Sequence, residues 1–504
     1  MTVTRQPYGP FDRMPVGGSW RRGSAGRELT DTDPWSGEVL ASIPLASPAD
    51  VEDAYAAAEA EQPGWAAAMP EQRAAVMRKA AEILQARHAE IARWVVRESG
   101  GTVAKVEVEL GVVRAGFLEA AGMPHRVEGR ILPSDIPGKE NRVYRRPVGV
   151  VCLISPWDFP MYLTNRTLAP ALALGNAVVL KPSPNTPVTG GLLLAKILEE
   201  AGLPAGILNV VVGSSGDIGD VLVQHPVARV VSFTGSTATG IAISRKTGIK
   251  KLLLELGGNA PMVILDDADI DYAVESAVFG SFYNSGQICM IANRVIVDSS
   301  IAAKFTEAFI ERTRTLRVGD PADAATFIGP VISRAQLDSV RDKVRRAIGQ
   351  GARLLLGGDP SGPAGLALPP QVLTGTNDVA TAREEVFGPA ITIIKAHGEE
   401  EALRLANDTE YGLSSAVHTT DAERGARFAL RLRVGMTHVN DSPVNEEDNT
   451  AYGGEKLSGL GRFGGTWSID EFTTHHWVSV QHTPRPYPMA TASPAVSGKD
   501  TDNA

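Results

Sequence analysis

From residue 148 onward, short β-branched and aliphatic runs alternate with longer stretches of mixed polarity. The runs are 148–154, 177–180, 208–212, 230–233 and 252–254. Between them lie 162–174, 187–201, 217–224 and 237–247, each long enough for a crossover helix. Alternation of this kind predicts a parallel, doubly wound sheet. Strands that are apolar along their whole length fit a sheet buried on both faces. A second alternating set runs from about 263 to 440, with helices expected at 268–282, 301–315 and 333–348 and strands at 295–297 and 391–394. It predicts a second α/β domain. Ahead of both, residues up to about 47 read as loops and extended chain. Three amphipathic stretches follow at 49–60, 71–98 and 106–121, placed to clad a sheet. Beyond about His482 the apolar period is lost, and a disordered tail is expected.

Composition narrows the function classes. A chain of 504 residues has room for two to four domains. Its two cysteines exclude a disulfide framework and a four-cysteine zinc site, so each is a buried small hydrophobe or a working thiol. Nine histidines with no His-Glu-x-x-His pattern give no reason to expect a metal. A net charge of −9 argues against nucleic acid as the main partner. Residues 1–20 lack the apolar core of a secretory signal, and no run approaches ~18 apolar residues, so a cytoplasmic protein with no membrane partner is expected.

Two clusters carry chemistry. In Gly286-Gln-Ile-Cys-Met290 a cysteine follows an expected helix, which suggests a thiol held at a loop or helix end. Cys152 lies inside the 148–154 run and reads as a packed strand residue. In Leu254-Glu-Leu-Gly-Gly-Asn-Ala-Pro261 a carboxylate ends an apolar strand, where burial would raise its pKa toward that of a general base.

Together these clusters resemble the aldehyde dehydrogenase superfamily. Other family segments follow in order: Ile154-Ser-Pro-Trp-Asp-Phe-Pro160, Lys181-Pro-Ser183, Phe233-Thr-Gly-Ser236, Glu384-Glu-Val-Phe-Gly-Pro389, Asn407-Asp-Thr-Glu-Tyr-Gly-Leu413 and Gly453-Gly-Glu-Lys-Leu-Ser-Gly459. The segments Asn165-Arg-Thr-Leu-Ala-Pro170 and Asn440-Asp-Ser-Pro-Val-Asn-Glu446 look most like the benzaldehyde, vanillin and salicylaldehyde dehydrogenases. The resemblance implies an α/β fold with two Rossmann-like domains and a small oligomerisation arm. Residues 1–125 and 148–256 would bind the dinucleotide, 257–470 would be catalytic, 126–147 and 471–485 would form the arms, and 486–504 the tail. A homodimer or homotetramer is implied.

The activity implied is oxidation of an aldehyde to its acid by NAD, with NADP not excluded because Pro184 stands where many NAD-preferring members have glutamate. Cys289 would attack the carbonyl, and Glu255 would activate water against the resulting thioester. Cofactor contacts would come from Ser155, Trp157, Lys181, Ser183, Gly213, Phe233, Gly235, Ser236, Gly257, Glu385 and Phe387. Phe159, Tyr162, Arg166, Ile288, Met290 and Asn445 would line the substrate site, with no metal.

One position departs from the family. Asp158 stands where an asparagine normally donates its amide to the oxyanion. An ionised carboxylate only accepts and would repel that charge. Three outcomes remain open on sequence: weak activity, a neutral Asp158 that donates an O–H, or a rearranged site. The rival functions are a dinucleotide-binding scaffold and a thioesterase-like enzyme without hydride transfer.

Overall fold

The computed structural model describes residues 6–489. The expected tail falls mostly on 490–504, outside the described residues; 486–489 form no regular element. The described residues form two compact units, one of 6–126 and 147–473, the other of 127–146 and 474–489.

In the larger unit the first apolar set forms one sheet. Its spatial order is Gly459–Leu460, Lys251–Glu255, Ala228–Thr234, Val150–Ile154, Ala177–Lys181, Leu208–Val210, parallel except for the two-residue edge. The strand order reverses between Val150–Ile154 and Ala228–Thr234. Ligands of such sheets bind beyond the carboxyl ends of the strands at that reversal. Ser155-Pro-Trp-Asp158 and Gly235-Ser236 leave the sheet there.

The second set forms a seven-stranded sheet, ordered Arg353–Leu356, Gln371–Thr374, Ala390–Ala396, Arg294–Asp298, Pro261–Ile264, Ala416–His418, His438–Val439. Its two faces feed two cores. Val263 and Ile296 pack with Leu337, Val340 and Phe428 on one face, while Met262, Ile264, Val295 and Val297 pack with Phe282, Phe305 and Phe309 on the other. Alternate residues on buried opposite faces explain why these strands read as unbroken apolar runs.

Two helical expectations need correction. The stretch 71–98 is two helices, Pro70–Ala86 and His88–Ser99, with Arg87 at φ −109° between them. Arg87 leaves the helical conformation, and its guanidinium meets Glu90, Glu200 and the Gln6 carbonyl and lies 3.9 Å over the Tyr8 ring. The helix expected at 49–60 instead spans Pro48–Ala67, through Pro63. Buried Trp65 holds the extra turn by donating from Nε1 to the Leu172 carbonyl at 2.8 Å.

The smaller unit has a three-stranded sheet of Thr473–Gln481, Lys139–Pro147 and Arg130–Leu132. Trp477 Nε1 donates to Asn141 Oδ1 at 3.0 Å, while Ile131 and Trp477 are 74% and 63% exposed. Among the described residues no helix is long and apolar enough to cross a membrane.

One buried cation ties the second sheet to the loop that precedes it. Arg294 is wholly buried, and burial pulls its pKa down to about 9. It donates to the side chain and carbonyl of Asn259, to Asn377 Oδ1 and to the Leu405 and Ala406 carbonyls. Arg294→Ala strands these acceptors and is expected to cost about 3 kcal/mol or more. Urea unfolding checks this; an unchanged midpoint would overturn it.

Candidate active site

Cys289 sits in a loop between the Ile270–Phe282 helix and the Arg294–Asp298 strand. Three residues in a row, Asn284 (φ 51°), Ser285 (φ 56°) and Gly286 (φ 70°), take the left-handed conformation. That costs the non-glycine pair energy, so side chains must hold them. Asn284 Nδ2 donates to the Asp158 carbonyl at 3.2 Å, and Ser285 Oγ to the Gly329 carbonyl at 3.0 Å. Gln287 braces the loop, accepting from Ile332 N at 2.9 Å. From the other side Gly258 presses so close that a Cβ there would lie 2.0 Å from the Cys289 carbonyl oxygen.

The thiol faces a chain of polar groups. Cys289 Sγ is 3.4 Å from Tyr452 Oη, which donates to Glu255 Oε1 at 3.3 Å. Glu255 Oε2 accepts from Arg166 Nη2 at 2.9 Å, and Arg166 Nη1 reaches both Glu446 oxygens at 3.3 Å. The Arg166 guanidinium lies 4.3 Å from the Tyr452 ring centre and 4.4 Å from that of Phe463. Burial, then the charges of Glu255 and Asp158, pushes the Cys289 thiol well above its usual range. Burial and the Glu255 charge raise Asp158 to about 7. Below that pH the acid form of Asp158 predominates and has an O–H to give.

The helix Pro160–Ala173 that carries Arg166 begins directly after Asp158-Phe159. Its free amides at Met161 and Tyr162 are capped from a distance by Glu109 at 2.9 and 3.2 Å. Glu109 pairs with fully buried Lys105, whose ammonium lies 4.1 Å from the Phe159 ring centre.

A cleft of about 240 Å³ opens beside the thiol. Of the residues expected from sequence it gathers Trp157, Asp158, Gly235, Ser236, Glu255, Gly257, Cys289, Glu385 and Phe387. Glu385 accepts from Gly258 N at 2.9 Å, and burial raises it to about 7. A Cβ on Gly257 would come within 2.5 Å of that carboxylate. The ring of Phe387 meets Trp157 edge-on at 5.1 Å.

Ser155, Lys181, Ser183, Gly213 and Phe233 lie outside this cleft, in or just beyond strands of the same sheet. The Phe233 ring backs Gly235, where a Cβ would lie 2.7 Å from its tip. Ser183 accepts from Asn185 N. At Gly213 a Cβ would collide with Ile218.

The donor set fits a dinucleotide. Ser155 Oγ is buried without a partner among the described residues, and desolvation pulls the buried Lys181 ammonium down to about 8. Ser236 caps the Thr237–Lys246 helix, whose free amides suit a phosphate.

Tyr162 and Arg166 border a smaller cavity of about 30 Å³ with Glu119, Glu446 and Asp448. Ile288 and Met290 are buried beside Cys289, and Phe159 stands 6.4 Å from the Tyr283 ring. Asn445 Nδ2 donates to Asp441 Oδ2 at 2.9 Å. Sequence reasoning missed Tyr452 and Glu446, and also Gln336, Ser339 and Lys343, which line the cleft from the Arg334–Gly349 helix. Tyr452 directly precedes the Gly453-Gly pair, so that motif was the signal available.

Gly258→Ala is expected to displace the Cys289 loop and cost about 1–3 kcal/mol. Thermal and urea unfolding of the variant measure it, and full stability would contradict the close approach.

The aldehyde dehydrogenase family model matches residues 20–478. Benzaldehyde dehydrogenase YfmT of Bacillus subtilis is 46% identical over 485 residues, covering 95% of this chain and 99% of that protein. A vanillin dehydrogenase of Corynebacterium glutamicum is 46% identical over 472 residues, covering 93% and 97%. The crystal structure of a NAD-dependent benzaldehyde dehydrogenase from Corynebacterium glutamicum superposes with a TM-score of 0.87 at 42% identity, covering 95% and 98%.

Proposed function

The chain belongs to the aldehyde dehydrogenase family, and on that premise we propose that it oxidises an aromatic aldehyde, of the benzaldehyde, vanillin or salicylaldehyde kind, to its acid. The observation that carries this reading is the buried Cys289–Tyr452–Glu255 chain, with Cys289 and Glu255 lining a cleft suited to a dinucleotide. The aromatic preference is supported by the two relatives named above and by the rings of Phe159, Tyr283 and Phe463 nearby.

Cys289 would attack the carbonyl carbon and form a thiohemiacetal, whose oxyanion needs a donor. A neutral Asp158, flanking the thiol in the same cleft, would supply its O–H. When bound, NAD would supply the hydride acceptor for oxidation of the substrate carbon. Lys181, Ser155, Ser236 and Glu385 would hold it, and Pro184 leaves room for NADP. Glu255 then takes a proton from the water that hydrolyses the thioester. In this reading residues 1–125 and 148–256 serve the dinucleotide, and 257–470 the catalysis. The exposed apolar side chains of the smaller unit would pair with a second copy in a homodimer or homotetramer, in a cytoplasmic setting.

The test follows NAD(P)H absorbance over a panel of aldehydes, with the parent and Asp158→Asn. The parent is expected to oxidise an aromatic aldehyde. With Asp158 at about 7, its acid form holds below that pH and is lost above it. Parent turnover should therefore fall behind that of Asp158→Asn as pH rises through 7, by up to the ~10²–10³ that one oxyanion donor supplies. If both proteins bind cofactor yet reduce neither form with any aldehyde, the scaffold reading replaces this one.

A second pair of variants separates the cysteines. Cys289→Ala is expected to abolish turnover. Cys152→Ala should spare it, because Cys152 is wholly buried in its strand and burial raises its thiol to about 11. The reverse pattern would sink the assignment.

A further inference from the structure

The unusual group beside the thiol is a phenol. Tyr452 is buried, held by backbone bonds in both directions to Phe463, and its ring lies against the Arg166 guanidinium. Its hydroxyl reaches Cys289 Sγ at 3.4 Å and Glu255 Oε1 at 3.3 Å. A phenol has one proton to give. An ionised Glu255 can only accept, so the Tyr452 O–H points to Glu255 and its lone pairs face the thiol. Polarity along the chain then has one sense: S–H to Oη, and O–H to Oε1. Both contacts are long, as catalytic hydrogen bonds often are before substrate tightens them.

We infer that Tyr452 is a catalytic residue that relays the thiol proton of Cys289 to Glu255. As the S–H bond breaks, a new Oη–H bond forms; the old Oη–H bond breaks as Oε1–H forms. Tyr452 ends neutral, Cys289 is a thiolate and Glu255 a neutral acid. Once the sulfur is bonded to carbon and carries no charge, that proton passes to water in the cleft, returning Glu255 to the carboxylate that thioester hydrolysis needs. Arg166 stays on the far oxygen, Oε2, and so leaves Oε1 free for both tasks.

Charge balance favours transfer over simple ionisation. The groups facing Cys289 are Glu255, Asp158 and Tyr452, with Glu385 in the same cleft. A thiolate formed beside the Glu255 carboxylate would be repelled by it. Moving its proton to Glu255 removes one negative charge as it creates another, so the total in the pocket is unchanged.

The inference rests on Cys289 as the nucleophile and needs neither aldehyde nor cofactor, so its test is alkylation by iodoacetamide. Modification of Cys289 is followed by peptide mass from about pH 6 to 9 in the parent, Tyr452→Phe, Glu255→Gln and the double variant. Phenylalanine keeps the ring on Arg166 and against Phe463, and a melting temperature close to the parent's confirms the packing.

Tyr452→Phe is expected to alkylate about tenfold more slowly near neutral pH, the effect of one lost hydrogen bond of about 1.4 kcal/mol. The double variant should be no slower than Glu255→Gln alone, because both groups serve one path. Parent-like alkylation of Tyr452→Phe with slow Glu255→Gln would mean direct transfer from Cys289 to Glu255 and would overturn the relay. Additive losses would overturn it too. Failure here leaves the aldehyde reading standing, and failure of the aldehyde panel leaves alkylation untouched.

Discussion

The Arg166 guanidinium governs the electrostatics of this site. Taking an ion out of water costs several kcal/mol unless partners and hydrogen bonds compensate. Arg166 meets that requirement with two carboxylates, Glu255 and Glu446, and with the faces of Tyr452 and Phe463. In return it fixes Glu255 by one oxygen and turns the other toward Tyr452. Remove the cation, and Glu255 becomes an unpaired buried charge beside a thiol. The remaining acids in the cleft have no such partner at contact distance. Asp158 and Glu385 are accordingly raised to about 7, mainly by burial.

The backbone brings these charges together by convergence. Glu255 ends one sheet and Pro261 begins the other, so the short link Leu256-Gly-Gly-Asn-Ala260 passes directly under the Cys289 loop. Only glycine fits at 258, against the Cys289 carbonyl, and at 257 a Cβ would displace the Glu385 carboxylate. Arg294 then holds Asn259 by both its side chain and its carbonyl. The helix that supplies Arg166 starts at the segment that supplies Asp158, and Glu109 with Lys105 secures that start. Thiol, base and acid are therefore positioned by elements that cannot shift independently.

How much of this could be read from the chain follows from the range of each determinant. The parallel strands were legible because a sheet buried on both faces leaves an unbroken apolar run, as at Ala177–Lys181. Cys289 and Glu255 were legible through the residues around them. The break at Arg87 was not, since Glu200 and Tyr8 set it from outside the local period. Arg166 was read as a substrate contact, yet its partner is Glu255, 89 residues on. Tyr452 reaches Cys289 across 163 residues, and no local pattern marks a hydroxyl whose value lies in one distant contact.

Asp158 shows how such a site can accept a carboxyl where an amide is usual. An amide donates at any pH, whereas an acid donates only while protonated. Burial favours the neutral form, and the Glu255 charge adds to it. Lys105 pulls the other way, but its ammonium is committed to Glu109 and the Phe159 ring. The thiol has the opposite requirement, because it must lose its proton to act. Under the proposed mechanism one group must stay protonated while its neighbour deprotonates, both under the charge of Glu255. A base that takes the thiol proton without changing the total charge meets both demands, since it never adds a second negative charge beside the acid. The Arg166-anchored Glu255, reached through Tyr452, is placed to be that base.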